Sequence, residues 1–381
     1  MTEPVLATAI PATPLAEYLA TAGTAFAESS TLLPYLGTLT PGLLDAPEAE
    51  TRALLTGAAV HDLGWLRRIA IRGEDRFRWL SGMVTNAVET LPDNTGAYNL
   101  VLNAQGRIQG DLYVWRDGDA VELEVTAEQS EALLAHLDKF IIMDDVELVP
   151  LEDESALQLT GPLAEKVFAQ LGITRLGIAA LPASLSSSTG EIAGIPVRIF
   201  RGYGTAVPHY AIWVATAQLP AVWNAIVAAG ASPVGAASLE KLRIIEGIPA
   251  YGIDIQSRDL AQETSQERAL NFTKGCYLGQ EIVERIRSRG QVHRHLRSLE
   301  LTPEIPGNLP APGTELRIAG NAADIKPIGT ITSVASVQLE AGLRVFAIGM
   351  IRAEAEVGRK PLVYPGGSAR ILNTTPQWNA V

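Results

Sequence analysis

The chain has 381 residues, 47% of them hydrophobic and 19% charged, with a formal net charge of −12 at pH 7 and a single cysteine. That length buries a large core and normally divides into two or three domains. The acidic balance argues against a surface that attracts nucleic acid or anionic lipid as a whole, and one cysteine excludes an intrachain disulfide.

The same cysteine count fits a reducing, cytoplasmic setting. The opening twenty residues lack a basic n-region and are broken by prolines, so no signal peptide is expected. No apolar run reaches membrane-spanning length. Residues 1–50 are expected as an extension that packs on the body or is partly mobile, with residues 15–27 able to form a helix.

From residue 51 the chain reads as a duplication. In the first copy, 51–150, residues 66–72 alternate like a strand. Gly73 and Asp75 then open a helix that carries Phe77, Leu80 and Val84 at helical spacing. Strands are expected at 98–103, 108–115 and 121–125. Thr126 and Gln129 have capping-box spacing before a helix with Leu133, Leu134, Leu137, Phe140 and Ile141 on one face. In the second copy, 151–300, residues 157–160 read as a strand and Gly161-Pro162 opens a helix through Val167 and Leu171. Strands follow near 197–201 and 210–214, then a helix over 217–229. The Ser-rich stretch 183–190 reads as a flexible loop. A helix from 239 ends near Gly247, and a Pro- and Gly-rich linker spans 302–313. The remainder, 301–381, is all strand, at 315–318, 328–337, 345–351, 361–364 and 369–372. The expected fold is therefore α+β: two βαββαβ-like halves around a central cavity, followed by a small antiparallel β-barrel.

The most informative stretch is Lys274-Gly275-Cys276-Tyr277-Leu278-Gly279-Gln280-Glu281. A lone cysteine is commonly a small buried apolar residue. Here a lysine stands beside it, glycines flank it and a helix is about to begin, which are surroundings in which thiols become reactive. Between Lys274 and Arg297 lie six basic residues against Glu281 and Glu284. They read either as a solvated face or as a wall for an anionic ligand or RNA phosphate. No aromatic ladder runs between them to support sequence-specific RNA reading. The five histidines form no metal-ligand spacing with the cysteine, and no metal site is expected.

The octapeptide resembles the K-G-C-[FY]-x-G-Q-E signature of the YgfZ-type folate-binding proteins, in the superfamily of the glycine cleavage T protein, a tetrahydrofolate-dependent aminomethyltransferase. Supporting pieces are Gly73–Phe77, Thr85-Asn86, residues 102–107, residues 137–141 and Glu246-Gly247-Ile248-Pro249. The similarity spans roughly residues 55–381. It implies a central cavity for tetrahydrofolate or a one-carbon derivative. It also implies iron–sulfur client or assembly proteins as partners, a role in assembling or repairing iron–sulfur enzymes, and through them tRNA thiolation.

By the same resemblance Cys276 is the candidate reactive group. Lys274 either tunes the thiol, pairs with a ligand carboxylate or is a surface lysine. Asp111 matches the catalytic aspartate of the aminomethyltransferases and can hydrogen-bond a folate nitrogen; otherwise it is an exposed aspartate at a strand start. Asn103 and Arg107 flank the same turn and are placed at the cofactor with Tyr277 and Gln280, although Tyr277 is expected to pack with its hydroxyl partnered and Gln280 to serve the helix start. Glu281 can favour the helix dipole or hold Arg285. One departure stands out. The aminomethyltransferases carry a pterin-binding glutamate where this chain has Ala211. Glu246 and Asp254 are the acids available to replace it. The alternative reading is a folate-dependent aminomethyl or methyl transferase using Asp111; a third is a binding module without chemistry.

Overall fold

Strand alternation and helical spacing produce two halves with the same strand order in the computed structural model, which describes residues 9–22, 31–173, 185–290, 292–320, 326–339, 342–356 and 361–376. In the first half, Thr95–Leu102, Ile108–Asp117, Ala120–Thr126, Leu66–Arg72 and Glu147–Leu151 lie side by side. In the second, Ser186–Ile192, Ile195–Arg201, His209–Ala215 and Glu154–Thr160 follow the same order, extended by Ala59–Asp62 and Ser232–Pro233. Together they form one eleven-stranded sheet, joined where Ser186 pairs with Thr95. The pairings are antiparallel except that of Ser232–Pro233 with Ala59–Val60. Helices Arg76–Met83 and Ala127–Asp138 cover the first half, and Ala164–Gln170 and Leu219–Ala228 the second.

The first half has the four strands expected before its second helix, and the second half has one more than expected. The extra strand in the second half is Ser186–Ile192, within the stretch expected as a loop; residues 183–184 lie outside the described residues. Its serines, threonine and glycine show no apolar alternation because most of them keep some exposure. Its order comes from backbone pairing with Ile195–Arg201. The two-residue turn between them, Ala193-Gly194, has φ of 52° and 75°, the left-handed pair that matches hairpin twist. Ala-Gly is a weak signal for that turn, so the hairpin was hidden.

The N-terminal extension is largely part of the body. Thr13 caps helix Pro14–Thr21 by accepting from the Ala16 N–H, and Leu15 and Leu19 enter the core with Phe168 and Trp223. Residues 23–27 of the expected helix lie outside the described residues. Strands Leu32–Tyr35 and Thr38–Pro41 form a hairpin, and helix Pro47–Thr56 runs across residue 50.

The C-terminal barrel closes in the order Arg294–Pro303, Gly342–Arg352, Gly329–Leu339, Glu315–Ile318, Leu362–Tyr364 and Gly367–Ile371, whose last strand returns to the first. Leu299, Leu316, Ile331, Ala347 and Ile351 fill it. Asp254 fastens the barrel to the body. Neighbouring side chains on a strand normally point to opposite faces. A bulge at Ile331–Ser333 turns both Thr332 and Ser333 toward one oxygen of Asp254, at 2.5 and 2.7 Å. The other oxygen accepts from Arg243 at 2.6 Å and from the Ala250 N–H at 3.0 Å. Asp254→Ala would leave a buried guanidinium short of one partner and two donors, the Ser333 hydroxyl and the Ala250 N–H, unmet. A loss of about 3 kcal/mol is expected in chemical denaturation; an unchanged midpoint would show that this cluster does not hold the barrel.

Candidate active site

Between the two halves lies a cavity of about 280 Å³. Strand Ile108–Asp117 sends Asp111, Tyr113 and Trp115 toward it, while Val114 on the opposite face packs under the helices. Tyr98 and Phe200 complete an aromatic wall, with ring centroids 5.1 Å apart for Tyr98–Tyr113 and 4.8 Å for Trp115–Phe200. The second half contributes Gln158, His209 and Ala211, and helix Ala236–Glu246 contributes Leu239, Leu242, Arg243 and Glu246.

Asp111 is held at both oxygens. Tyr98 donates its hydroxyl to one at 2.7 Å, and the Gln129 amide donates to the other at 2.9 Å. Gln129 also accepts the Asp111 backbone N–H at 3.0 Å. Gln129 is therefore a clamp on Asp111 and does not complete a capping box; Thr126 caps helix Ala127–Asp138 with its backbone alone. Gly110 makes the clamp possible, because a Cβ there would lie 2.7 Å from the Gln129 amide oxygen and from Leu133. Burial raises the Asp111 carboxyl above its ordinary range, against the opposing hydrogen bonds from Tyr98 and Gln129.

Glu246 lines the cavity as a committed carboxylate. One oxygen accepts from the backbone N–H groups of Thr205, Ala206 and Val207 at 3.0, 2.8 and 3.3 Å; the other meets His209 Nε2 at 2.9 Å. Burial pushes its pKa up, but His209 and the amides outweigh this and hold it below the ordinary carboxylate value. Glu246 thus fastens the 205–207 loop with one oxygen and holds His209 with the other. Asp254, the other acid considered in place of the missing glutamate, is spent on the barrel.

The octapeptide lies outside this cavity, and Cys276 is exposed on its loop. Lys274 supports the loop: its ammonium donates to the carbonyls of Ser81, Val84 and Asn86 at 2.7, 2.7 and 2.6 Å, around the end of helix Arg76–Met83. Those three bonds use its three donors, so none remains for a ligand carboxylate. Burial pulls the ammonium down to about 8. Tyr277 is buried, and its hydroxyl meets no partner among the described residues, contrary to expectation. Gln280 accepts from the Tyr277 N–H at 3.3 Å. Glu281 and Arg285 form no ion pair; Arg287 pairs with Glu284 at 3.6 Å instead. Gly279 has φ of 80°, and a Cβ there would sit 2.6 Å from the Asn103 carbonyl.

Asn103 and Arg107 belong to that turn and not to the cavity. Asn103 accepts from the Gln105 and Arg107 N–H groups at 3.0 Å each, and the Arg107 guanidinium donates to the Arg258 carbonyl. Thr85 and Asn86 stitch the 268–269 segment to the sheet through the carbonyls of Ala269 and Arg268. That places Arg268, which the sequence did not single out, between the rings of Tyr98 and Tyr203 at 4.0 and 3.9 Å. The basic segment is partly neutralised: Arg294 pairs with Asp259 and Glu263, and Arg297 with Glu356. Among the described residues no cluster could hold a metal ion, and no helix is long and apolar enough to cross a membrane.

Comparison with known proteins agrees with this arrangement. At1g60990 of Arabidopsis thaliana, a chloroplastic protein provisionally named a transferase, is 25% identical over 78% of this chain and 66% of its own length, just under two thirds of that relative. The aminomethyltransferase of Thermoanaerobacter pseudethanolicus is 25% identical over 79% of this chain and 81% of its own. The glycine cleavage system aminomethyltransferase T from Bartonella henselae superposes with a TM-score of 0.80 over 97% of this chain and 98% of that one, at 19% identity. That structure shares the fold described above. The family model for the GCVT N-terminal domain matches residues 24–274, well over half of the chain, and the protein belongs to that family.

Proposed function

We propose that the chain is a folate-binding protein of the YgfZ type, with a tetrahydrofolate derivative held in the central cavity against Asp111. In this reading Cys276 acts on an iron–sulfur client or assembly partner. The observation that carries the folate half is Asp111, clamped by Tyr98 and Gln129 at the wall of an aromatic cavity. The residues present suit the group: the rings can stack on a flat heterocycle, and Asp111 offers a carboxyl at one end. Tetrahydrofolate, when bound, would supply N5 of its ring and the adjoining N10 as the carriers of a one-carbon unit. Asp111 would hydrogen-bond at that end, and Tyr98 and Gln129 would keep its carboxyl aimed. The thiol half rests on exposure. Cys276 lies outside the cavity on an anchored loop, where a macromolecule can reach it and a ligand buried in the cavity cannot.

A second reading, aminomethyl or methyl transfer with Asp111 as acid–base group, draws support from the Asp111 clamp and from relatives named aminomethyltransferase. The commitment of Glu246 and the presence of Ala211 weigh against it.

Titration of the purified protein with tetrahydrofolate should show binding that falls about tenfold or more in Asp111→Asn and is unchanged in Cys276→Ala. In cells lacking the protein, Cys276→Ala should fold normally and fail to restore iron–sulfur enzyme activity. Full rescue by that variant would remove the thiol from the mechanism. Methylene-tetrahydrofolate formation from an aminomethyl donor, dependent on Asp111 and not on Cys276, would establish the second reading.

The Asp111 carboxyl also makes a pH prediction. Its folded-state pKa lies above the ordinary value of 3.8, so the native state keeps this proton to higher pH than the unfolded chain does. Its contribution to stability is fully present below the unfolded value and is lost as pH rises through the raised native one. Tyr98→Phe removes a donor to the carboxylate and should raise the midpoint further. A carboxyl ¹³C titration of the two proteins reads this directly, and a lower midpoint in the variant would contradict the clamp.

A further inference from the structure

The strands Glu154–Thr160 and His209–Ala215 pair so that Gln158 lies directly across from Ala211. Both residues line the cavity. Cross-strand partners point to the same face, so the methyl of Ala211 leaves the wall open beside the Gln158 carboxamide. How that carboxamide is turned follows from its neighbours. Glu246 is a carboxylate and can only accept, and His209 Nε2 stands 2.9 Å from it, so Nε2 carries the hydrogen. On the other side of the same ring stands Nδ1. The group within reach to donate to it is the Gln158 amide nitrogen, at 2.8 Å; the Thr160 hydroxyl lies farther off, at 3.4 Å. With the nitrogen committed to His209, the carboxamide oxygen of Gln158 is left without a hydrogen bond from any described residue.

We propose that Gln158 is a specificity-determining residue of the cavity, and that its carboxamide oxygen, held in place by the Glu246–His209–Gln158 chain, accepts a hydrogen bond from an N–H on the ligand ring. This rests on the folate reading above and deepens it by naming the group that reads the ring. A carboxamide oxygen fixed in this way can only accept. It therefore selects a heterocycle whose edge presents an amine or a ring N–H, and it disfavours one whose edge presents only acceptors. The acceptor is neutral, so it favours an uncharged donor edge and needs no counter-ion in the cavity.

The experiment is calorimetric titration under argon with two probes, tetrahydrofolate and p-aminobenzoylglutamate, which keeps the ligand's tail and lacks its ring. The proteins are the parent, Gln158→Leu, Gln158→Glu and Asp111→Asn. The expected result is that Gln158→Leu binds tetrahydrofolate about tenfold more weakly, the loss of one hydrogen bond. Gln158→Glu, which retains an acceptor oxygen but loses the N–H given to His209, should recover part of the affinity lost in Gln158→Leu, and both should bind p-aminobenzoylglutamate as the parent does. Thermal melting of each variant reports folding, and Gln158→Met replaces the leucine variant if leucine lowers the melting temperature. Tetrahydrofolate binding that is unchanged in Gln158→Leu but lost in Asp111→Asn overturns the role of Gln158 and leaves the folate reading standing. Equal weakening toward both probes, or failure of glutamate to rescue, means that the variants disturb the cavity generally, and it also overturns the proposal. A parent protein that binds no tetrahydrofolate overturns both readings.

Discussion

The last turn of helix Ala236–Glu246 ties the cavity loop, the second half and the barrel together, and it depends on Glu246 being ionised while buried. A carboxylate at a helix C-terminus faces the negative end of the helix dipole and has lost its water. Three backbone amides and one imidazole offset that cost. The same turn faces the other way as well. Gly247 closes the helix with φ of 67°, and a Cβ there would come within 2.2 Å of the Ser298 hydroxyl on the barrel. One turn earlier, Arg243 reaches Asp254 and through it the bulged barrel strand. Removing the charge at Glu246 would therefore release the 205–207 loop and would free His209 to change its hydrogen-bonding partner.

The cysteine loop is governed by a separate constraint. Gly279 and Gly106 let the octapeptide and the 103–107 turn approach until backbone meets backbone; a Cβ on Gly106 would lie 2.7 Å from Ile282. Lys274 pins the start of the loop to carbonyls around a helix end, where a cation is favoured. The two fragments that look strongest in the sequence therefore fasten one another and leave Cys276 facing outward. The thiol and Asp111 belong to different surfaces of the molecule, and any chemistry that couples them must pass through the protein or a partner.

Much of the architecture was legible because apolar alternation and helix spacing are direct consequences of burial. The strands of the first half and of the barrel follow that rule. Ser186–Ile192 escaped because hydrogen bonding and not side-chain burial holds it. Asp111 was picked out through its match to the aspartate of the aminomethyltransferases, whereas its clamp was not legible, because it depends on Gly110 leaving room for Gln129. Asn103, Arg107 and Lys274 were misplaced for one shared reason: a polar side chain that satisfies backbone groups looks the same in sequence as one that faces a ligand. Gln158 gave no signal at all, sitting mid-strand in Leu-Gln-Leu-Thr. The role proposed for it rests on the cross-strand register with Ala211 and on its contact with His209, both of which are properties of the folded sheet.

The duplication produces unlike walls from like strands. The first half brings Asp111, Tyr98, Tyr113 and Trp115 to the cavity; the second brings Gln158, His209 and Ala211. One wall thus offers an ionisable carboxyl among aromatic rings, and the other a neutral acceptor beside a small residue. A ligand with two different edges can satisfy both walls in one orientation only, because turning it over would set its donors and acceptors against the wrong partners. Arg268 strengthens that polarity. It holds a positive charge between Tyr98 and Tyr203, on the Asp111 side, in a protein whose net charge is −12. Arg268 therefore offers an anionic group a half-buried cation on the Asp111 side of a protein whose surface is otherwise acidic.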